Sequence, residues 1–181
     1  INLFNKFINP KKNFLTSFFN RKNKMCFYLY GNVGVGKTML LNFVYDGLKI
    51  KKSRLHFNEF MVNFHDYIFQ NKDKESGVIN FVKDLSSKVK ILYFDEFQVT
   101  NIVDAMILGR LFEKIFEENI KVIFSSNILI KDLYKDGLQR DQFKPFIGTM
   151  KNRTIEHELL IEDDYRKSKE NQNDRYFFPL N

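Results

Sequence analysis

The stretch Met25-Cys26-Phe27-Tyr28-Leu29-Tyr30-Gly31-Asn32-Val33-Gly34-Val35-Gly36-Lys37-Thr38 decides the fold. An unbroken apolar run ends at a loop punctuated by glycine, and from Lys37 to Tyr45 apolar residues return at helical spacing, with Gly47 as the expected stop. A strand buried on both faces reads this way, because neither of its faces alternates toward water. The loop satisfies G-x-x-x-x-G-K-[ST] in full. Gly31, Gly34 and Gly36 permit backbone angles and close approaches that a Cβ would block. The amides of Gly31, Asn32, Val33, Gly34, Val35, Gly36, Lys37, Thr38 and Met39 can then turn inward around an anion at a helix N-terminus. Lys37 is placed to reach the β- and γ-phosphates of a nucleoside triphosphate, and the Thr38 hydroxyl to ligate Mg²⁺.

Working outward, Lys90-Ile91-Leu92-Tyr93-Phe94 reads as a second buried strand and Val122-Ile123-Phe124 as a third. Arg54-Leu55-His56-Phe57 opens as a strand and runs into a helix through residue 65. Val78, Phe81, Val82 and Leu85 suggest another helix. Between 102 and 116, Met106, Leu108, Leu111, Phe112, Ile115 and Phe116 form a broad apolar helical stripe. Residues 70–77 read as a polar loop, and 153–161 as a weakly alternating strand. Ahead of the first strand, Phe14, Leu15, Phe18 and Phe19 fall on one helical face after the break at Pro10. Strands alternating with helices predict an α/β chain, a three-layer sandwich around a parallel sheet.

Each later strand ends in polar residues at the ligand end of such a sheet. Asp95 is expected to hold the hydration shell of the cation. Glu96 is expected to polarise the attacking water as general base. Asn127 is expected to bond the γ-phosphate and that water, with Ser125 and Ser126 as weaker candidates. This set suits hydrolysis of ATP with Mg²⁺ better than phosphoryl transfer to a small acceptor.

Composition bounds the alternatives. With 181 residues, 44% hydrophobic and 16% aromatic, the chain suits one core, and 28% charge with 8 Gly and 3 Pro excludes disorder or a repeat as an overall description. A lone cysteine, Cys26, forms no internal disulfide, and no Cys/His cluster suggests structural zinc. His56 and His65 read as packing or turn residues rather than metal ligands. Apolar runs fall short of the ~18 residues of a membrane helix, and no secretory leader is visible. The net charge of +7 is uneven: residues 1–52 hold ten Lys/Arg against one acid, Asp46. A nucleic-acid partner would explain that bias. So would solvated charge at Lys11, Lys12, Arg21, Lys22 and Lys24, the reading preferred here.

Longer strings narrow the assignment. They are Phe94-Asp95-Glu96-Phe97-Gln98-Val99-Thr100, Asp104-Ala105-Met106-Ile107-Leu108-Gly109-Arg110-Leu111-Phe112, Ser126-Asn127 and Leu133-Tyr134-Lys135-Asp136-Gly137-Leu138-Gln139-Arg140. With Arg54-Leu55-His56-Phe57, Phe60-Met61, His65, Phe143-Lys144-Pro145-Phe146-Ile147, Asp164-Tyr165-Arg166 and Tyr176-Phe177 with Pro179, the chain resembles the ZapE / lactation-elevated (AFG1-like) family of AAA+ ATPases from about residue 25 to 179. The resemblance implies an AAA+ core over 25–181, preceded by a basic segment at 1–24. It implies ATP hydrolysis in a homo-oligomeric ring acting on a protein partner. Bacterial members are associated with the division-ring tubulin homologue, and mitochondrial ones with inner-membrane proteins. The setting implied is the bacterial cytoplasm, peripheral to the inner membrane, or the mitochondrial matrix side. It further implies an arginine acting from the neighbouring subunit, Arg140 first and Arg110 second. The family pattern has His at Asn58 and Asp at Asn101, and continues into a C-terminal lid expected to be absent here. A helicase-loader type acting with nucleic acid, and a reduced ATP-binding module with little turnover, stand as alternatives.

Overall fold

The computed structural model describes residues 1–8, 24–71 and 74–160. The helical face expected at Phe14–Phe19, the charges at Lys11, Lys12, Arg21 and Lys22, and the family strings at 164–166 and 176–179 lie outside the described residues.

Among the described residues, five strands form one parallel sheet: β1 (Cys26–Tyr30), β2 (Lys52–His56), β3 (Ile91–Asp95), β4 (Lys121–Ser126) and β5 (Thr154–Glu158), in the order β2-β3-β4-β1-β5. The three interior strands are the three continuous apolar runs. Their residues are buried almost throughout, whereas edge strands β2 and β5 are largely exposed or half-buried. That difference explains why β5 reads only weakly in the sequence.

Among the described residues, six α-helices cover the sheet: α1 (Asn2–Ile8), α2 (Lys37–Asp46), α3 (Phe57–Gln70), α4 (Lys74–Lys88), α5 (Ile102–Glu117) and α6 (Arg140–Arg153). Strand parity sorts the core into two layers. Tyr28, Leu92, Phe94, Val122 and Phe124 face α3 to α6, while Phe27, Leu29, Ile91, Tyr93 and Ile123 face α1 and α2. The thicker layer is built on rings. Phe94 meets Phe57, Phe60, Phe112 and Phe124 at centroid distances from 4.8 to 6.2 Å, each such pair contributing about 0.5–1.5 kcal/mol beyond its burial. On the other face Phe4 and Phe7 of α1 lie 5.3 and 6.0 Å from the Phe27 ring.

Several elements differ from the sequence expectation. The polar stretch 70–77 is not a loop throughout. Residue 70 closes α3 and α4 starts at Lys74, its first turn polar in sequence. Helix α6 is not announced by its composition, since Pro145 and Gly148 interrupt it. Phe143, Phe146, Ile147 and Met150 nonetheless fall at helical spacing and are buried, with Phe146 5.5 Å from Phe112 of α5. Helix α5 is capped by Asn101, whose Oδ1 accepts from the Val103 amide at 2.8 Å. His65, expected as a packing or turn residue, is half-buried and pairs with Asp104 Oδ1 at 2.7 Å, tying α3 to the first turn of α5. Of the described N-terminal basic residues, Lys24 and Lys52 donate to carbonyls at helix C-termini, Asn152 in α6 and Tyr45 and Asp46 in α2. No described helix is long and apolar enough to cross a membrane.

Candidate nucleotide site

The loop from Gly31 to Gly36 leaves β1 at the carboxyl end of the sheet and turns into α2. Gly31 has φ +155°, and a Cβ there would lie 2.5 Å from the Leu159 carbonyl oxygen, just beyond β5. Gly36 takes φ +82° immediately before the first helical residue. Replacing Gly31 by alanine should therefore cost about 1–3 kcal/mol in backbone strain alone, before the collision with Leu159. Thermal unfolding should read this as a loss of several degrees. Gly47→Ala serves as the control, because a Cβ there meets its nearest atom, the Val44 carbonyl, at an ordinary 3.7 Å.

Helix α2 buries the stripe Lys37, Leu41 and Tyr45 against the sheet, so the lysine of the motif is carried inward by the same periodicity that seats two core residues. Its Nζ donates to the carbonyls of Gly31 at 2.8 Å and Asn32 at 2.7 Å. Burial lowers the Lys37 pKa from its ordinary 10.5, and nearby Asp95 opposes that shift. Thr38 follows at the helix start and donates to Asp95 Oδ1 at 3.3 Å.

Asp95 ends β3 on the face toward α2, and both oxygens of its carboxylate accept hydrogen bonds. Oδ1 also accepts from Ser125 Oγ of β4 at 2.5 Å and from the Tyr93 hydroxyl at 3.5 Å; Oδ2 accepts from the Arg54 guanidinium of β2 at 2.5 Å. Burial pushes the Asp95 pKa up, but the hydrogen bonds from Ser125 and Arg54, the charge of Arg54 and the bond from Thr38 outweigh it, and the net shift is downward. Immediately after, the chain turns left-handed at Glu96, φ +54°, and rejoins β4 where the Phe97 amide donates to the Ser125 carbonyl at 2.8 Å. The Glu96 amide donates to Ser125 Oγ at 3.1 Å. Ser125 thus fixes both acids, while the kink aims the Glu96 side chain to the exposed side. A left-handed non-glycine residue costs about 1–3 kcal/mol and gathers at functional sites.

A cavity of about 280 Å³ brings these pieces together: Gly34, Gly36, Lys37 and Thr38 from the loop, Glu96 after β3, and Ser125, Ser126 and Asn127 at the end of β4, with Val33 and Met39 on its rim. The strand order accounts for this, since β4 lies between β1 and β3. Val35 lies within the loop, its Cγ2 3.3 Å from where a Cβ on Gly31 would stand. Ser126 is occupied structurally, donating to the Phe97 carbonyl at 2.7 Å and accepting from the Ile128 amide at 3.1 Å. Neither Arg140 nor Arg110 lines the cavity. Arg140 starts α6 and donates to the Lys131 carbonyl at 2.8 Å, not to Asp136 or Asp141; the latter is bridged by Lys144. The Thr38 hydroxyl and Asp95 carboxylate are hard oxygen donors that fit Mg²⁺, a cation that takes few protein ligands and completes its shell with phosphate and water.

Arg54 and Ser125 are the contacts that sequence reasoning undervalued. Ser125 has a signal: it sits on the Asp95 face of β4 by simple alternation from Ile123. Arg54 has one only once β2 is placed beside β3, where it pairs with Tyr93.

Comparison with known proteins agrees with this architecture. The chain is 39% identical over 137 residues to lactation elevated protein 1 homolog B of Danio rerio, covering 69% of this chain and 27% of that protein. It is 35% identical over 140 residues to cell division protein ZapE of Escherichia coli K12, covering 77% of this chain and 37% of that protein. The chain thus spans about a third of the length of the curated relatives it matches. Among solved structures, the DnaC helicase loader superposes with a TM-score of 0.53 at 14% identity, over 81% of this chain and 85% of that one, a likeness of fold. The AFG1-like ATPase model matches residues 4–181, and the chain belongs to that family.

Proposed function

We propose that this chain is the Mg²⁺-dependent, ATP-hydrolysing AAA+ core of a protein that works as an oligomer on a protein partner. The observation that carries the reading is the cavity lined by Gly34, Gly36, Lys37 and Thr38 of the loop with Glu96, Ser125 and Asn127, Asp95 being bonded to its Thr38 and Ser125. The loop amides and Lys37 hold the phosphate tail, Lys37 exchanging two carbonyl oxygens for phosphate oxygens. Thr38 and Asp95 hold Mg²⁺, which neutralises charge on the β- and γ-phosphates when bound. Glu96 takes a proton from water as its oxygen bonds to the γ-phosphorus and the bond to ADP breaks. Asn127, exposed at the end of β4, holds the γ-phosphate and that water. Arg140 acts on a neighbouring subunit's phosphate, an arrangement worth about 10³–10⁵ in rate.

The printed name of the Escherichia coli relative, a cell division protein, supports a role in division. On this reading the partner is the division-ring tubulin homologue in a bacterial cytoplasm, or inner-membrane proteins at the mitochondrial matrix face. The expected result for the purified chain is phosphate release from ATP with Mg²⁺ and none with EDTA, together with a nucleotide-induced rise in solution mass. ATP binding without phosphate release would favour the reduced module. A strict monomer with brisk turnover would remove the trans role of Arg140.

A further inference from the structure

Arg54 stands at the edge of the site and has no part in the mechanism above. It lies on β2 opposite Tyr93, on the face that carries Asp95, and its guanidinium rides over the Tyr93 ring 5.1 Å from the centroid. From there it reaches Asp95 Oδ2 at 2.5 Å. The ring and the carboxylate fix a planar, permanently charged fork in one orientation. The two partners differ in exposure: the Asp95 side chain is 7% exposed and that of Arg54 37%, so the arginine has open solvent to move into and the aspartate does not.

Both oxygens of Asp95 are engaged, Oδ1 by hydroxyls and Oδ2 by a cation. Hydroxyls can reorient and remain beside a metal; a guanidinium carries the same sign of charge and competes with it. We propose that Arg54 is a positioning residue that acts as a counter-cation latch, holding Asp95 in place and keeping divalent metal off it unless the metal brings phosphate oxygens of its own. Metal entry is thereby tied to nucleotide entry, and the latch opens outward when the pair arrives. The inference rests on the nucleotide reading for its second half only.

Free Mn²⁺, followed by its electron paramagnetic resonance signal, tests the first half on the full chain without nucleotide. Arg54→Gln should bind Mn²⁺ about ten- to a hundredfold more tightly than the wild type, the range expected on removing one charge-assisted competitor. The gain should vanish in the Arg54→Gln/Asp95→Asn double variant. Coincident titrations of wild type and Arg54→Gln, or a gain that survives Asp95→Asn, would overturn the proposal. Should Arg54→Gln fail to fold, the side-chain Nε–H resonance of Arg54 in the wild type decides. It should shift when Mg²⁺ is added to protein saturated with ATP in EDTA, and an unmoved signal contradicts the latch. If ATP leaves the Gly34–Thr38 amide resonances unmoved, the nucleotide reading fails instead, while the Mn²⁺ titration still judges the latch.

Discussion

Phosphate release from ATP falls by about 10²–10⁴-fold in Glu96→Gln while ATP is still bound, the range set by loss of a positioned general base. The substitution isolates the carboxylate. Glutamine keeps the length of the side chain, and the amide bond to Ser125 Oγ that holds the left-handed turn belongs to the backbone. The loop, Lys37, Thr38 and Asp95 are untouched, so equilibrium binding of ATP measured by calorimetry should match the wild type. Normal turnover in Glu96→Gln would move the base elsewhere, and loss of binding would mean that Glu96 serves the cradle rather than the water.

Lys37→Ala should abolish turnover and strongly weaken binding. An ammonium held between two phosphate oxygens makes charge-assisted bonds of about 1.5–3 kcal/mol each, so affinity should drop by tenfold or more for each one lost. The same residue gives the site a pH dependence with a definite sign. Burial already disfavours the charged form of Lys37, lowering its pKa from 10.5, and a bound triphosphate would favour that form. ATP affinity should therefore weaken as pH rises, beginning below the ordinary lysine range. Residual binding in Lys37→Ala should lack that alkaline limb. Binding by the variant equal to wild type at neutral pH, where Lys37 is charged, would exclude the lysine from the phosphate site.

How much of this was legible in the sequence follows from burial and from chain separation. Strands β1, β3 and β4 were readable because interior parallel strands leave no face for water, and the loop because its glycines and Lys37-Thr38 are contiguous. Asp95, Glu96, Ser125 and Asn127 could be nominated from strand ends alone; the strand order then gathers Glu96, Ser125 and Asn127 around one cavity, with Asp95 bonded to its Thr38 and Ser125. Helix α6 was obscured because Pro145 and Gly148 read as breakers although Phe143, Phe146, Ile147 and Met150 keep helical spacing. The short α1 offers only Phe4 and Phe7 as a signal. The Arg54–Asp95 pair spans 41 residues and depends on β2 lying beside β3, which no local pattern states. Similarly, Arg140 is adjacent to Asp141, yet it bonds the Lys131 carbonyl nine residues upstream.

The position of Lys37 Nζ in a crystal structure of the chain with Mg²⁺ and a non-hydrolysable ATP analogue bears on all of this at once. The ammonium should leave the Gly31 and Asn32 carbonyls for the β- and γ-phosphates, with the tail lying across the amides from Gly34 to Thr38. An analogue bound elsewhere, or a loop still closed by Lys37 on those two carbonyls at saturating analogue, would contradict this.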